Sequence, residues 1–224
     1  MNILVCGDSH SRIFPYSNYK QQKYKFFLAE APGGTAQGVV NPNSKSNALK
    51  IFENTFNNFN KRNIKMDKII IMLGEVDCGF VIWVRSKRYN ISVDDQLNCC
   101  VDNLFKFIKD VIISKNKYSN EDVIVTGAVL PTIKDSTDKK YLGGARSEVD
   151  VSQYVRTQKT LEYNQRLKDE CEKEGYKYID ITKHIIGENN LVKNCYLHKN
   201  PGDHHLDNES TYNFWMEELD KVVL

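Results

Sequence analysis

Several features that would direct a search for function are missing from this sequence of 224 residues. It contains no apolar run long enough to span a bilayer, and no basic leader precedes the short apolar run at its N-terminus. The formal net charge is only +2, and no basic stripe with interleaved aromatic residues occurs. We therefore expect a cytoplasmic protein that binds neither a membrane nor nucleic acid.

The six cysteines form no Cys-x-x-Cys pair and have no regular spacing. This pattern argues against a zinc site and against the disulfide framework of a secreted protein. No internal repeat or low-complexity tract is present. The hydrophobic fraction of 41% and the charged fraction of 27% are typical of a globular protein. A chain of this length and composition predicts a single domain over residues 1–224.

Short apolar runs alternate along the chain with segments in which apolar residues recur at helical spacing. Strands are predicted over residues 2–6, 25–29, 66–73, 122–130 and 176–180. Helices are predicted from Ser44 to about Arg62, from Val93 to Ser114, from Ser152 or Thr157 to about Glu174, and from about Glu209 to Val222. Strands that alternate with amphipathic helices indicate a mostly parallel sheet with helices on both faces.

Residues 132–151 follow the fourth predicted strand and are rich in charge and glycine. A loop of this length is either functional or disordered. The functional alternative is a lid in which Arg146 contacts an anionic group of a substrate. The other alternative is a solvated, mobile loop.

Polar or small residues follow three of the predicted strands. Gly7-Asp8-Ser9-His10 follows the first strand, Gly33-Gly34 follows the second, and Gly74-Glu75-Val76-Asp77 follows the third. Open α/β sheets bind their ligands at the carboxyl ends of the strands, so these segments can meet at one edge. The alternatives are that Asp8 or Ser9 caps a helix and that the two glycines only shape a loop.

A serine hydroxyl is a poor nucleophile unless a base lies within hydrogen-bonding reach, and the base gains from a third, orienting group. Asp203-His204-His205, near the other end of the chain, supplies two imidazoles beside a carboxylate. A pair of histidines in a loop is also compatible with a solvated turn. Together with Ser9, this segment indicates nucleophilic catalysis.

The segment Gly7-Asp8-Ser9-His10 resembles the first block of the GDSL/SGNH hydrolases, and three further blocks follow in the family's order. The resemblance covers most of the chain. It implies a flavodoxin-like, three-layer α/β/α sandwich with a five-stranded, mostly parallel sheet. It also implies hydrolysis or transfer of an ester-linked acyl group on a small molecule or glycan, with O-acetyl on a carbohydrate as the preferred substrate by analogy. No cofactor and no metal are implied.

The roles known for the family carry over to matching positions. The first-block serine is the nucleophile and its N–H helps to bind the oxyanion, which corresponds to Ser9. Gly34 resembles the second-block glycine, another N–H donor to the oxyanion. His205, which directly precedes Leu206, resembles the base, with His204 as the alternative and Asp203 as the supporting carboxylate. The remaining candidate oxyanion or substrate contacts are Asp8, His10, Thr35, Glu75 and Asp77.

The sequence departs from the family pattern at two places. Val76 stands where the family has an asparagine that completes the oxyanion hole, and losing one such donor typically costs on the order of a hundred- to a thousandfold in rate. The reading Gly-Glu-Val-Asp-Cys resembles that of a subset of the family. The family's Asp-x-x-His spacing falls on Gly202, so Asp203 supports His205 only if the loop is remodelled, and a Ser-His dyad is the alternative.

Two other functions are compatible with these residues. Asp8-Ser9-His10 has the Asp-x-His form of a metal-binding segment, to which His204 and His205 could add ligands, as in a metallophosphoesterase. The Gly-Asn-His-(Asp/Glu) block expected of such an enzyme does not occur. The second possibility is a decayed hydrolase site that binds a glycan without turnover.

Overall fold

Five parallel strands form one sheet in the computed structural model, which describes residues 1–223. The strands are β1 (Asn2–Gly7), β2 (Lys25–Glu30), β3 (Lys68–Met72), β4 (Val123–Thr126) and β5 (Lys177–Ile179). Their order is β2-β1-β3-β4-β5, and each neighbouring pair is parallel. This is the flavodoxin-like order, and the predicted fold class is confirmed.

Helices connect the strands and cover both faces of the sheet. They are α1 (Ile13–Ser17), α2 (Ala48–Lys61), α3 (Ile82–Tyr89), α4 (Val93–Phe107), α5 (Ala145–Glu148), α6 (Gln153–Glu174), α7 (Thr182–Ile185) and α8 (Asn208–Val223). Single 3₁₀ turns lie at Ser9–Arg12, Asn120–Asp122, Lys139–Tyr141 and Asn194–Tyr196, and π-helical stretches lie at Asp77–Val81 and Ile108–Lys115. Among the described residues, no helix combines the length and the apolar character needed to cross a membrane.

The apolar residues of the strands alternate between two cores. On β1, Leu4 and Cys6 pack with α2, α4 and α6, whereas Ile3 and Val5 pack with α1, α7 and α8 on the opposite face. Because helices cover both faces, successive strand residues are all buried, which explains the nearly continuous apolar runs in the sequence. The result is the predicted three-layer sandwich.

Several elements differ from the predicted ones in their bounds or in their geometry. The second helix begins at Ala48, four residues after the predicted cap Ser44, because Asn47 has a left-handed backbone with φ of 52°. The fourth strand ends at Thr126, and beyond it the Asn164 side chain bonds both the N–H and the carbonyl of Ala128, at 2.7 and 2.9 Å. The long helix predicted from Val93 changes from α to π geometry at its C-terminal end.

The segment 132–151 is folded rather than extended into solvent. It contains a 3₁₀ turn and α5, and ion pairs join it to α3 through Lys87 with Asp150 and Arg88 with Glu148. A guanidinium nitrogen of Arg146 donates to the carbonyl of Gly202, at 3.2 Å. This segment therefore packs against the loop that carries the predicted base.

Candidate active site

The candidate residues meet at the carboxyl ends of β1 and β3. The chain order reverses at this point, because β1 leads outward to β2 on one side while β3 lies on the other. Ser9 follows β1 after one residue, and Glu75 follows β3 at the adjacent strand end. Ligands of open α/β sheets bind at such a reversal, so the fold places these two residues at its usual binding position.

A chain of hydrogen bonds joins Ser9, His205 and Asp203. The Ser9 hydroxyl oxygen lies 2.8 Å from His205 Nε2, and His205 Nδ1 lies 2.6 Å from Asp203 Oδ1. The same carboxylate oxygen accepts the main-chain N–H of His205 at 2.9 Å, and the Asp203 N–H donates to the Asn200 carbonyl at 3.0 Å. The loop is thus remodelled into a tight side-chain turn that brings Asp203 onto His205 with the shorter spacing.

The charges around the triad favour a neutral His205. Burial, together with electrostatic repulsion from the neighbouring rings of His10 and His204, lowers the pKa of His205 to about 4. Burial raises the pKa of Asp203, but hydrogen bonds from the His205 main chain and ring outweigh this effect and hold it below its ordinary value. At neutral pH the imidazole therefore has a free lone pair to accept the Ser9 proton.

His204 points to a different partner. Its Nδ1 lies 3.1 Å from Glu75 Oε2 and 3.2 Å from His10 Nε2, and His10 Nε2 lies 2.8 Å from the same carboxylate oxygen. Of the two candidate bases, His205 is the one within hydrogen-bonding reach of the Ser9 hydroxyl. The rings of His10, His204 and His205 lie with their centroids 4.4 to 4.8 Å apart.

The carboxylate of Glu75 is charged at the centre of this group. Burial raises the pKa of Glu75, but the adjacent rings of His10 and His204 lower it by a larger amount. The pKa of Glu75 therefore lies well below its ordinary value. Burial lowers the pKa of His10, yet the Glu75 carboxylate overcomes this and raises it. The two shifts describe a buried ion pair beside the triad.

The glycine loop after β2 has a different geometry from the one that the resemblance implies. The N–H of Gly34 donates to the carbonyl of Ala31 at 2.8 Å, which closes a turn with Pro32 second and Gly33 third, at φ of 66°. This is the residue pattern of a type II turn. A Cβ on Gly34 would lie 2.8 Å from the Ala31 carbonyl oxygen, so the turn itself requires glycine. Thr35 accepts the Gly38 N–H with its hydroxyl, at 2.9 Å.

Asp77 and Asp8 both bind main-chain amides. The Asp77 carboxylate accepts the N–H groups of Ala36 and Gln37, at 2.6 and 3.2 Å, and burial raises its pKa to about 6. The Asp8 carboxylate accepts the N–H of His10 at 2.9 Å, and burial raises its pKa to about 7. Both side chains are buried, and they hold the loops of the site in place.

A cleft of about 340 Å³ opens beside Ser9 and His205. Its floor is apolar and includes Leu206 and Trp215. Its rim is polar, and sequence reasoning missed every one of the rim residues Arg12, Tyr16, His198, Asp207, Asn208 and Glu209. These residues carry no motif and come from both ends of the chain, so only the fold brings them together.

Solved structures with a similar fold match this chain over nearly its whole length. A GDSL-like lipase from Bacteroides thetaiotaomicron matches with a TM-score of 0.59 at 15% identity, over 98% of this chain and 86% of that one. A carbohydrate acetylesterase family member from Sinorhizobium meliloti gives 0.59 at 11% identity, over 99% and 96%. An acetyl xylan esterase gives 0.55 at 11% identity, over 100% of both chains. The chain has the GDSL-hydrolase fold.

The likeness rests on the structural matches and on short motifs, since the searches over the whole sequence find no relative. No family model matches the chain, and no curated protein matches it. At identities of 11 to 15%, the likeness shows a shared fold. Within the GDSL-hydrolase fold, the first and last motif segments of this chain meet at one sheet edge, as the resemblance implies.

Proposed function

We propose that this protein is a serine ester hydrolase in which Ser9 is the nucleophile, His205 the base and Asp203 its supporting carboxylate. The observation that carries the proposal is the unbroken chain of contacts from the Ser9 hydroxyl through both ring nitrogens of His205 to Asp203, at 2.8 and 2.6 Å. An imidazole bonded in this way has its proton on Nδ1 and its lone pair on Nε2, which is the form that a general base requires.

The reaction then proceeds in two steps, acylation of Ser9 and hydrolysis of the acyl-serine. The Ser9 oxygen attacks the ester carbonyl carbon while His205 takes the hydroxyl proton, and the tetrahedral intermediate breaks its bond to the alcohol oxygen, which receives that proton. Water repeats the sequence on the acyl-serine and releases the acid and free Ser9. If a second alcohol attacks in place of water, the same site performs acyl transfer.

The site supplies fewer oxyanion donors than the family pattern. The side chain of Val76 has no donor, and the Gly34 N–H is committed to the turn carbonyl of Ala31. The Ser9 N–H, at the start of a 3₁₀ turn capped by Asp8, is the remaining donor of the pattern. This shortage predicts a slow enzyme unless another positive group lies near the carbonyl oxygen.

An O-acetyl group on a carbohydrate is the proposed substrate. A cleft of about 340 Å³ lies at the small end of ligand pockets, which suits an acetyl group better than a long acyl chain. The rim side chains offer hydrogen-bonding partners for sugar hydroxyls. Two of the similar structures are an acetyl xylan esterase and a carbohydrate acetylesterase family member, which supports the same substrate class.

Acetate release and active-site labelling test the proposal together. The purified protein should hydrolyse 4-nitrophenyl acetate and acetylated xylo-oligosaccharides and should take a fluorophosphonate label, located on Ser9 by peptide mass spectrometry. Ser9→Ala should abolish the label and lower turnover on the order of 10⁴-fold or more, whereas Ser86→Ala, at a half-buried serine of α3, should leave both unchanged. An intact protein without label or acetate release would contradict the proposal.

A glycan-binding protein without turnover is the second candidate, and the missing donor at Val76 favours it. Tight binding of acetylated oligosaccharide by the wild-type protein, with no acetate released, would select it. The metallophosphoesterase hypothesis, in which Asp8 and His10 bind the ion together, has less support, because an Asp8 carboxylate oxygen accepts the main-chain N–H of His10.

A further inference from the structure

Three side chains next to the triad converge on one point. His10 Nε2, His204 Nδ1 and Glu75 Oε2 form a triangle with sides of 2.8, 3.1 and 3.2 Å. We propose that these three residues form a binding site for a divalent transition-metal ion, with zinc as the best match. The site is distinct from the triad, whose members are committed to one another.

Hydrogen bonds cannot satisfy all three sides of the triangle. Each ring nitrogen has at most one proton, and the carboxylate oxygen has none to give, so only two of the three contacts can be hydrogen bonds at once. If both rings donate to Glu75 Oε2, two N–H groups face each other across the 3.2 Å between His10 and His204. A cation bound to all three atoms would accept a lone pair from each of them and remove this conflict.

The dimensions and donor types fit a small divalent ion. Zinc binds imidazole nitrogen at about 2.0–2.1 Å and carboxylate oxygen at about 2.0–2.2 Å, so ligand atoms around it lie roughly 3 Å apart or slightly more. Two histidines and one glutamate are a ligand set found in catalytic zinc sites, which leave a coordination position open. Calcium and magnesium prefer oxygen ligands and suit this set less well.

The second oxygen of Glu75 is an independent sign of a missing partner. Glu75 is only 2% exposed, and its Oε1 has no hydrogen-bond partner among the described residues. A buried, charged carboxylate that leaves an oxygen unpaired is costly. An ion bound through both oxygens would pair Oε1 as well as Oε2.

Two other clusters of possible metal ligands are less suited to hold an ion. One nitrogen each of His10, His204 and His205 lies within 4.8 Å of the others, but both nitrogens of His205 already face Asp203 and Ser9. The cluster of His184, Glu217 and Glu218 on the surface is already neutralised, because two lysines pair with its carboxylates. That surface cluster therefore serves as a matched control.

The position of the ion suggests its use, which rests on the proposed function. His10 follows Ser9 directly, and its ring centroid lies 4.5 Å from that of His205. An open coordination position there could polarise the carbonyl oxygen of the ester and so replace the donor that is missing at Val76.

Metal binding is measured without reference to turnover. The full-length protein is stripped with a chelator and titrated with Zn²⁺ by calorimetry and with Co²⁺ by visible absorption, and bound metal is counted by mass spectrometry. We expect one ion per chain. Glu75→Gln and His204→Ala should each weaken binding about tenfold or more, since the first replaces a charged carboxylate by a weaker amide ligand and the second removes an imidazole, whereas His184→Ala should bind like the wild type. No binding by the wild type, or loss of binding only in His184→Ala, would overturn the proposal.

Two further measurements keep the result unambiguous. If a variant fails to fold, X-ray absorption spectroscopy of the Zn²⁺-loaded wild type still tests the site, and we expect it to show two imidazole ligands. A zinc coordination shell without imidazole would overturn the proposal. Ser9→Ala should retain the ion. Ion binding without esterase activity would therefore contradict only the proposed function. Esterase activity in a protein that binds no ion would contradict only the metal site.

Discussion

The carboxylate of Asp77 ties the loop after β2 to the end of β3, because its Oδ2 accepts the main-chain N–H of Ala36 at 2.6 Å. Its other oxygen accepts the next N–H, from Gln37, and the Cys100 thiol lies 3.3 Å from that oxygen. The sequence pattern made Asp77 a candidate for contact with the substrate. Its contacts indicate a positioning residue, which fixes the glycine loop against the strand end that carries Glu75.

Asp77→Asn should destabilise the protein by about 1–3 kcal/mol, because the amide nitrogen then faces one of the two N–H donors and leaves it unpaired in the interior. The measurement is urea unfolding followed by circular dichroism. Asp94→Asn, at an exposed carboxylate on α4, is the control and should change stability by less than about 0.5 kcal/mol. Equal effects of the two substitutions would contradict the anchoring role.

Asp203 makes both of its contacts to His205 through one oxygen. This predicts a much smaller loss of activity for Asp203→Asn than for Asp203→Ala. Asn can present its carbonyl oxygen to the same ring and main-chain N–H groups, so Asp203→Asn keeps the orientation of His205 and loses only the charge. We expect a fall in kcat of about tenfold for Asp203→Asn and on the order of 10³- to 10⁴-fold for Asp203→Ala. Steady-state hydrolysis of an acetyl ester measures both, and equal losses would show that charge alone matters.

The strands and the position of Ser9 at the end of a strand could be predicted because their signals are local. A run such as Ile69-Ile70-Ile71 specifies a strand covered on both faces, and Ser9 is recognised by its place after such a run. His205 also follows from a short motif. The chain order of the strands then determines the edge at which these segments meet.

Side-chain directions could not be predicted, because they depend on contacts between distant segments. The spacing of Asp203 and His205 suggested a misfit, yet a side-chain turn resolves it. Gly34 matched a motif whose N–H is free, whereas here Pro32 and Gly33 direct that N–H back into a turn. Nothing in the sequence near Glu75 indicates that His10 and His204 lie on the same carboxylate oxygen.

The pH dependence of stability can be tested at Glu218, where α7 meets α8. Burial raises the pKa of Glu218, but contacts with Lys221, His184 and Lys183 outweigh it and lower the pKa to about 2. Because the folded pKa lies below the unfolded one, the charged form contributes stability above about pH 4.5, and this is lost as pH falls toward 2. Glu218→Gln should cost about 1 kcal/mol at pH 7 and a small fraction of that near pH 2 in denaturant titrations. A pH-independent difference would contradict this assignment.

Gly74, which links β3 to Glu75, should tolerate no side chain. Its φ is 126°, a conformation that L-residues rarely adopt, and an added Cβ would lie 2.2 Å from Cε1 of the buried Tyr163 ring. We expect Gly74→Ala to cost about 3 kcal/mol or more in unfolding free energy, from backbone strain and overpacking together.

Gly175→Ala is the matched control for this substitution. Gly175 ends α6 with φ of 76° and has open space where a Cβ would lie, so only the left-handed backbone penalty of about 1–2 kcal/mol applies. Denaturant unfolding of both variants separates strain from collision. In the double variant Gly74→Ala, Tyr163→Ala, removal of the ring should cancel the collision, so the cost should fall short of the sum of the single costs. Simple additivity would show that Tyr163 is not what excludes a side chain at this position.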